Sequence, residues 1–353
     1  MNMLDLGVPM IDKSKLFTLR PHQELVMQML RVSLKAGHTA PILQAGCGFG
    51  KTIVAAHIVA GIIGSGARCG FGVPYISLVD QTVEKFEANG IAPEAIGVIQ
   101  GNHPRWNPDA PLQICSVQTM AARGWPELDW LLVDECHLMH KSVLTMLEER
   151  GGSEAPKFMI GLSATPWAKG MGKYWDDLLR PVSTRDLISE GYLSDFTALA
   201  PVTADMSSVK ISKGDYAVGE ASVVMQDASL VGDVVEEWMK HAKHLPTITF
   251  CMDLAHARAV HTAFDGVGIP AAYIDAKTPV EERNEIGRAL KMGRVEVVVS
   301  VGTLIAGIDW DVRCILWCRP TKSEILYVQG VGRGLRTAPG KDKLILLDFT
   351  PTT

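Results

Sequence analysis

The sequence predicts an α/β protein of two tandem units, each a mainly parallel β-sheet covered by helices. Three observations lead there. Apolar, β-branched-rich runs of 5–8 residues alternate with amphipathic stretches of 12–16 along the chain. The runs are continuously apolar rather than alternating, as strands buried on both faces of a parallel sheet are. Finally, 353 residues divide into two domains at about 150 residues each.

In the first half the candidate strands are residues 41–45, 68–73, 112–117, 128–134 and 158–164, with helices over 51–61 and 78–88. In the second half the strands are 196–202, 247–251, 271–274, 295–301, 314–318 and 344–349, with helices over 231–243, 254–264 and 280–292. Residues 203–228 are polar, contain Gly and Ser, and have the weakest periodicity. The boundary is placed just before them, giving units 1–195 and 196–353, the second opening on strand 196–202.

A composition of 47% hydrophobic and 21% charged residues excludes a disordered or fibrous chain. No apolar run approaches the ~20 residues of a membrane span; the stretch from Ile53 is interrupted by His57, Gly61 and Gly64. Asp5, Asp12, Lys13 and Lys15 leave no apolar signal core, so export is not expected and the expected location is cytoplasmic. The seven cysteines lie scattered in apolar segments without a Cys-x-x-Cys pair; they read as core residues in a reducing compartment, not zinc ligands. Net charge is −5, spread evenly over the two halves. A protein that only coats nucleic acid is usually basic, so any such partner has to be argued from local motifs.

The clearest chemistry lies in Ala45-Gly46-Cys47-Gly48-Phe49-Gly50-Lys51-Thr52, between a strand and an apolar helix. A triphosphate needs many donors approaching without side-chain obstruction. Gly46, Gly48 and Gly50 let backbone N–H groups curl around it, and the helix N-terminus adds a favourable dipole. Lys51 reaches the β- and γ-phosphates, and the Thr52 hydroxyl ligates magnesium. The strict form of this signature begins with glycine, where this chain has Ala45.

A second buried run, Leu131-Leu132-Val133, ends abruptly in Asp134-Glu135-Cys136-His137. Parallel sheets bind ligands at the carboxyl ends of their strands, so these carboxylates can face the crevice that holds Lys51. Asp134 is the candidate magnesium ligand, and Glu135 the group that orients and deprotonates an attacking water. In the second half, Gln329-Gly330-Val331-Gly332-Arg333-Gly334-Leu335-Arg336 follows an apolar stretch. On one continuous helix, offsets of 0, 4 and 7 place Gln329, Arg333 and Arg336 within an arc of about 60°, two guanidiniums on one anion-binding face. Gly330, Gly332 and Gly334 permit close backbone approach.

At these residues the chain resembles the superfamily 2 helicases of DExH type, which consist of two RecA-like domains with an ATP cleft between them. The resemblance runs from about Phe17 to Phe349 in the family's motif order. Residues 18–23 resemble the adenine-recognition segment, with Arg20 and Gln23 as its candidates; residues 45–52 resemble motif I and 134–137, literally DECH, motif II. Residues 73–81 and 116–119 resemble motifs Ia and Ib, 163–165 motif III, 250–257 motif IV, 302–309 motif V and 329–336 motif VI. Residues 187–193, 214–216 and 319–323 narrow the likeness to the branch containing XPB and the phage helicase UvsW.

This resemblance implies ATP and Mg2+ as cofactors, and a DNA helicase or translocase acting on duplex or branched DNA. RNA remains an alternative. ATP would be held by Arg20, Gln23, the phosphate loop, Asp134, Gly307 and Asp309, with Gln329, Arg333 and Arg336 acting on the γ-phosphate. His137, Ser163 and Thr165 would couple the nucleotide to domain movement. Gln81, Gln118, Thr119 and Thr303 would grip nucleic-acid phosphates without regard to sequence. Little chain precedes Phe17 and an XPB-type Arg-Glu-Asp triplet is absent, so the expectation is either a minimal motor, suited to a phage of a bacterial host and completed by a protein partner, or a shortened piece of a longer chain. Two other classes stay open: an ATP-switched clamp with little turnover, and the motor subunit of a nuclease or restriction assembly.

Two further features read as structural. His256 and His261 lie five apart on a candidate helix and suit surface or core better than a metal. Trp106, among Asn102, Pro104 and Pro108, suits loop packing, with base stacking as the alternative.

Overall fold

The computed structural model describes residues 10–150, 152, 155–302 and 310–350. The chain divides into two compact units, Met1–Ser183 and Thr184–Thr353.

The first unit contains β1 (Pro41–Gln44), β2 (Cys69–Val73), β3 (Ile96–Ile99), β4 (Leu112–Ser116), β5 (Trp130–Asp134), β6 (Phe158–Ser163) and β7 (Asp177–Leu179). Its helices are α1 (Pro21–Lys35), α2 (Lys51–Gly64), α3 (Val79–Ala88), α4 (Val117–Arg123) and α5 (Lys141–Glu149). The strands form one sheet in the order β3-β4-β2-β5-β6-β1-β7, and every neighbouring pair is parallel. Continuous apolar runs become strands here because both faces are covered: β2, β3 and β4 are buried along their whole length. Leu131, Leu132 and Ile160 are fully buried, each worth roughly 1.5–3 kcal/mol. Helix α2 has buried residues all round, from Val54 to Ile63, which is why its sequence lacks a polar face.

Register decides what the sheet presents at its carboxyl rim. Gln44 pairs with Ser163, Asp134 with Leu162, Gly72 with Val133 and Val73 with Ser116. The loops after β1, β6, β5, β2 and β4 therefore stand side by side in that order. Phosphate loop, residues 163–165 and residues 134–137 occupy one stretch of the rim, and the segments starting at Val73 and Ser116 the next.

The second unit contains α6 (Thr184–Ser189), β8 (Asp195–Leu199), β9 (Ile211–Ser212), β10 (Asp215–Tyr216), α7 (Val218–Met225), α8 (Ala228–His241), β11 (Thr247–Cys251) and α9 (Leu254–Gly266). It continues with β12 (Ala271–Ile274), α10 (Val280–Lys291), β13 (Val297–Ser300), β14 (Cys314–Cys318), α11 (Glu324–Gly332) and β15 (Lys343–Asp348). Its sheet runs β12-β13-β11-β14-β15-β8, again all parallel, with β9 and β10 apart as an antiparallel hairpin. Trp238 of α8 and Phe264 of α9 meet edge-on at 5.4 Å in the core, and the indole N–H donates to the Thr247 hydroxyl at 2.8 Å. That bond satisfies two buried polar groups at once.

Three strand features were not anticipated: β3, β7 and the β9–β10 hairpin. Each has four residues or fewer, too few to establish a period. The compact units divide at Ser183–Thr184, earlier than the expected 195–196. Residues 184–194 are tied to the second unit: Leu193 bridges Arg336, and the Ser194 N–H donates to the Leu335 carbonyl at 2.8 Å. A six-residue helix leaves no periodic trace by which sequence could assign it.

Candidate functional site

The phosphate loop leaves β1 at Gln44 and enters α2 through Gly50, whose φ is 87° and which serves as N-cap. Gly48 is also left-handed, with φ 77°. These conformations turn the loop back over the helix start, where the N–H groups of Lys51 and Thr52 have no partner within the helix. The loop is pinned from α1. The Gln23 amide donates to the Phe49 carbonyl at 2.8 Å, His22 Nε2 lies 3.3 Å from the same oxygen, and Gln23 Oε1 accepts the Arg20 N–H at 2.9 Å. A Cβ on Gly50 would collide with the Gln23 amide nitrogen. Gln23 is thus brought to the phosphate loop, buried and bonded to the loop's backbone, while Arg20 stands exposed at the start of α1.

Lys51 is the centre of charge. Its ammonium lies 2.7 Å from Asp134 and 2.6 Å from Glu135. Burial alone would pull the Lys51 pKa down, but the two carboxylates outweigh it and push it up, so the ammonium stays charged. Consecutive strand residues point to opposite faces. Both carboxylates reach Lys51 because Glu135 leaves the strand in the left-handed region, at φ 50° and ψ 45°. That conformation costs a non-glycine residue roughly 1–2 kcal/mol, and the ion pairs offset it.

Behind Glu135 stands His137, whose Nδ1 is 2.9 Å from the Ser163 hydroxyl and 3.4 Å from Glu135 Oε2. Ser163 Oγ accepts the Thr165 N–H at 3.0 Å. Burial lowers the His137 pKa against the opposing pull of Glu135, so the ring is neutral at neutral pH. The three residues assigned a coupling role are therefore joined in one chain of contacts leading from Glu135.

Magnesium bound to phosphate takes one or two protein oxygens and completes its octahedron with water and phosphate. The Thr52 hydroxyl and the Asp134 carboxylate supply that number of hard donors. Among the described residues no group of three or more His, Cys, Asp or Glu could hold a metal without such help. The donor set fits a nucleotide-bound magnesium ion.

Further along the rim, Ser116 caps α4 by accepting the Thr119 N–H at 3.0 Å, and the two hydroxyls are 2.8 Å apart. Gln118 is exposed in the same turn and Gln81 lies in the first turn of α3. Because β2 and β4 are neighbours, these three candidates share one side of the sheet rim. Thr303, Gly307 and Asp309 lie outside the described residues. Trp106 is 53% exposed, contrary to the packed reading. Its neighbour Arg105 accepts the Val98 N–H at 3.0 Å, which lays this segment along the free edge of β3.

In the second unit, Gln329, Arg333 and Arg336 do not lie on one continuous α-helix. Helix α11 ends at Gly332, Arg333–Leu335 form a 3-10 turn, and Arg336 is extended. The turn is needed because Lys341 donates to the carbonyls of Gly334 and Arg336, while Leu335 is engaged by Ser194. Gly330 and Gly334 do permit close approach, but to their own sheet: a Cβ would strike the Trp317 ring and the Leu344 side chain, respectively. Lys341 and Ser194 were missed in the sequence, where nothing marks a lysine or serine as the anchor of a turn. His256 is fully buried, accepts the Met252 N–H on Nδ1 at 3.2 Å and is a core residue, as read. Six cysteines are buried and Cys47 half-buried, all free thiols.

Residues 16–168 match the family described as type III restriction enzyme, res subunit, and residues 230–338 match the helicase conserved C-terminal domain. A 51.5 kDa protein of a Lactococcus phage is 25% identical over 312 residues, covering 86% of this chain and 64% of that protein. The Saccharomyces cerevisiae protein named ATP-dependent helicase IRC3 is 29% identical over 257 residues, covering 68% of this chain and 37% of that protein. Among solved structures, the DNA-bound type ISP restriction-modification enzyme LlaBIII aligns with a TM-score of 0.71 at 16% identity, over 95% of this chain and 28% of that one. The fold is thus that of tandem RecA-like domains. The chain spans less than two thirds of the length of both relatives.

Proposed function

We propose, from the premise that this chain is built from the two conserved domains of a superfamily 2 helicase, that it is a nucleic-acid-dependent ATPase working as a DNA helicase or translocase. The observation that carries this reading is Lys51, which follows the loop after β1, held between Asp134 and Glu135 at the end of β5. A triphosphate entering the phosphate loop takes over the Lys51 ammonium. That releases Asp134 to the magnesium ion, which neutralises phosphate charge when bound, and Glu135 to the attacking water. Glu135 then accepts the water's proton, and neutral His137 passes the change in charge to Ser163 and the Thr165 backbone. Arg20 and Gln23 face the base, Gly307 and Asp309 contact the nucleotide, and Gln329, Arg333 and Arg336 stabilise the γ-phosphate. Gln81, Gln118, Thr119 and Thr303 hold nucleic-acid phosphates.

DNA is taken as the track over RNA because the LlaBIII enzyme solved bound to DNA aligns with a higher TM-score, 0.71, than the RNA-bound Saccharomyces cerevisiae Dbp5, 0.64. The finer placement, in the branch containing XPB and UvsW, is supported by residues 214–216 and 319–323 packing together: Asp215 bonds both Thr321 and Lys322. No described helix is long and apolar enough to cross a membrane. With free buried thiols, this supports action in the reducing interior of a bacterial or phage-infected cell. The match to a restriction-enzyme res subunit favours a second reading, a motor whose nuclease is supplied by a partner.

The test is steady-state ATP hydrolysis without nucleic acid and with single-stranded, duplex and branched DNA and RNA. Strong stimulation by DNA that Glu135→Gln abolishes supports the motor. Stimulation by RNA alone replaces the track. ATP-dependent binding without turnover in the unmodified chain refutes the motor in favour of a clamp.

A further inference from the structure

Arg319 immediately follows β14, which lies between β11 and β15 in the middle of the second sheet. Its position is the carboxyl rim, where sheets of this type bind ligands. An arginine carries five donors in a rigid fork and does not give up its proton in practice. Yet Arg319 Nε is buried and has no hydrogen-bond partner among the described residues. Native structures seldom leave such a group unmatched, and where they do a missing ligand is a standard cause.

The surroundings explain why no carboxylate among the described residues hydrogen-bonds it. Asp215, whose charge reaches Arg319, is spent on the backbone strap beside it. One oxygen accepts the Thr321 hydroxyl at 2.7 Å and the other the Lys322 N–H at 2.7 Å. Those bonds clamp the β9–β10 hairpin to residues 319–323. A second cation stands in the same strap, with Lys322 Nζ 5.1 Å above the Tyr216 ring. Two cations around one carboxylate leave a net positive charge, and burial pulls the Arg319 pKa down against Asp215, as for a cation short of counter-charge.

We propose that Arg319 is a phosphate-binding residue of the second unit, its guanidinium completed by a phosphoryl oxygen of nucleotide or of nucleic-acid backbone. Only the choice of ligand class rests on the proposed function. Arg333 and Arg336 lie beyond α11 from it and belong to a different turn.

Direct binding separates the two sources without needing turnover, so a failed hydrolysis assay does not bear on it. The Mg2+ complex of a fluorescent ATP analogue, and labelled DNA and RNA oligonucleotides over a salt series, are titrated with the unmodified protein, R319Q and R319K. For a nucleic-acid phosphate, R319Q weakens oligonucleotide binding about tenfold and flattens the salt slope by roughly 0.7–0.9, leaving nucleotide affinity unchanged. For a nucleotide phosphate the loss falls on the ATP analogue alone. R319K recovers part of either loss. Unchanged affinity for both ligands in a folded R319Q overturns the proposal. Should R319Q fail to fold, phenylglyoxal modification of Arg319 in the unmodified protein decides instead: protection by ATP or oligonucleotide supports the site, and equal modification with and without them overturns it.

Discussion

Replacing Gly50 by alanine separates two demands that converge on one position. The first is conformational: φ at Gly50 is +87°, and an L-residue held in the left-handed region costs roughly 1–2 kcal/mol. The second is steric, because the new Cβ meets the Gln23 amide nitrogen. Expelling Gln23 breaks its 2.8 Å bond to the Phe49 carbonyl, for about 1.5 kcal/mol once the exposed buried acceptor is included. Gly50→Ala should therefore destabilise the first unit by roughly 3 kcal/mol, and Gln23→Ala by about 1.5 kcal/mol. The double variant should also cost only roughly 3 kcal/mol, since the contact is lost once; the coupling is then about 1.5 kcal/mol. Urea titration with mass-resolved hydrogen exchange reads the peptides of each unit separately. Additivity of the two variants to within about 0.5 kcal/mol would refute the reasoning, because it would mean that Gln23 and the loop do not touch.

Three further outcomes follow from the same geometry. Glu135→Gln should lower nucleic-acid-stimulated hydrolysis by about 10²–10⁴-fold while ATP binding survives, checked by single-turnover kinetics beside nucleotide titration; a loss of less than tenfold would remove Glu135 from proton transfer. Burial brings the pKa of His256 down to about 4, below its value in an unfolded chain, so the unfolded state takes up the proton first as pH falls. The second unit should keep its full stability above about pH 6.5 and lose up to about 3 kcal/mol on the way to pH 4, a slope that His256→Gln should flatten in urea midpoints measured against pH. Lys341→Ala removes the ammonium from the carbonyls of Gly334 and Arg336. It should reduce kcat more than the KM for ATP, with about 1–2 kcal/mol lost from the second unit; a change in KM alone would mean that the turn is held without Lys341.

Much of the fold was legible because its signals are short-range. Strands 247–251, 271–274 and 314–318 were expected with the bounds they have, since each is an apolar run flanked by breakers. The short β3 and β7 carry no such signal and become strands only by pairing with longer neighbours. The single α-helix expected to carry Gln329, Arg333 and Arg336 presumed that 3.6-residue spacing continues. The anchoring of Gly334 and Arg336 by Lys341 ends it instead.

What the sequence determined by itself is the inventory: two α/β units, a glycine-rich phosphate loop, and an apolar strand ending in acids. Periodicity, turn residues and motif spacing all lie within a stretch of chain short enough to read directly. The contacts that turn this inventory into a site join residues far apart in the chain. Gln23 meets Phe49 across 26 positions, Lys51 meets Glu135 across 84, and Asp215 meets Thr321 across 106. Such pairings depend on strand order and register, which the whole set of buried side chains decides together. The tertiary structure alone therefore decided that Glu135 turns back onto Lys51, that Gln23 guards Gly50, and that Arg319 Nε is buried without an acceptor among the described residues.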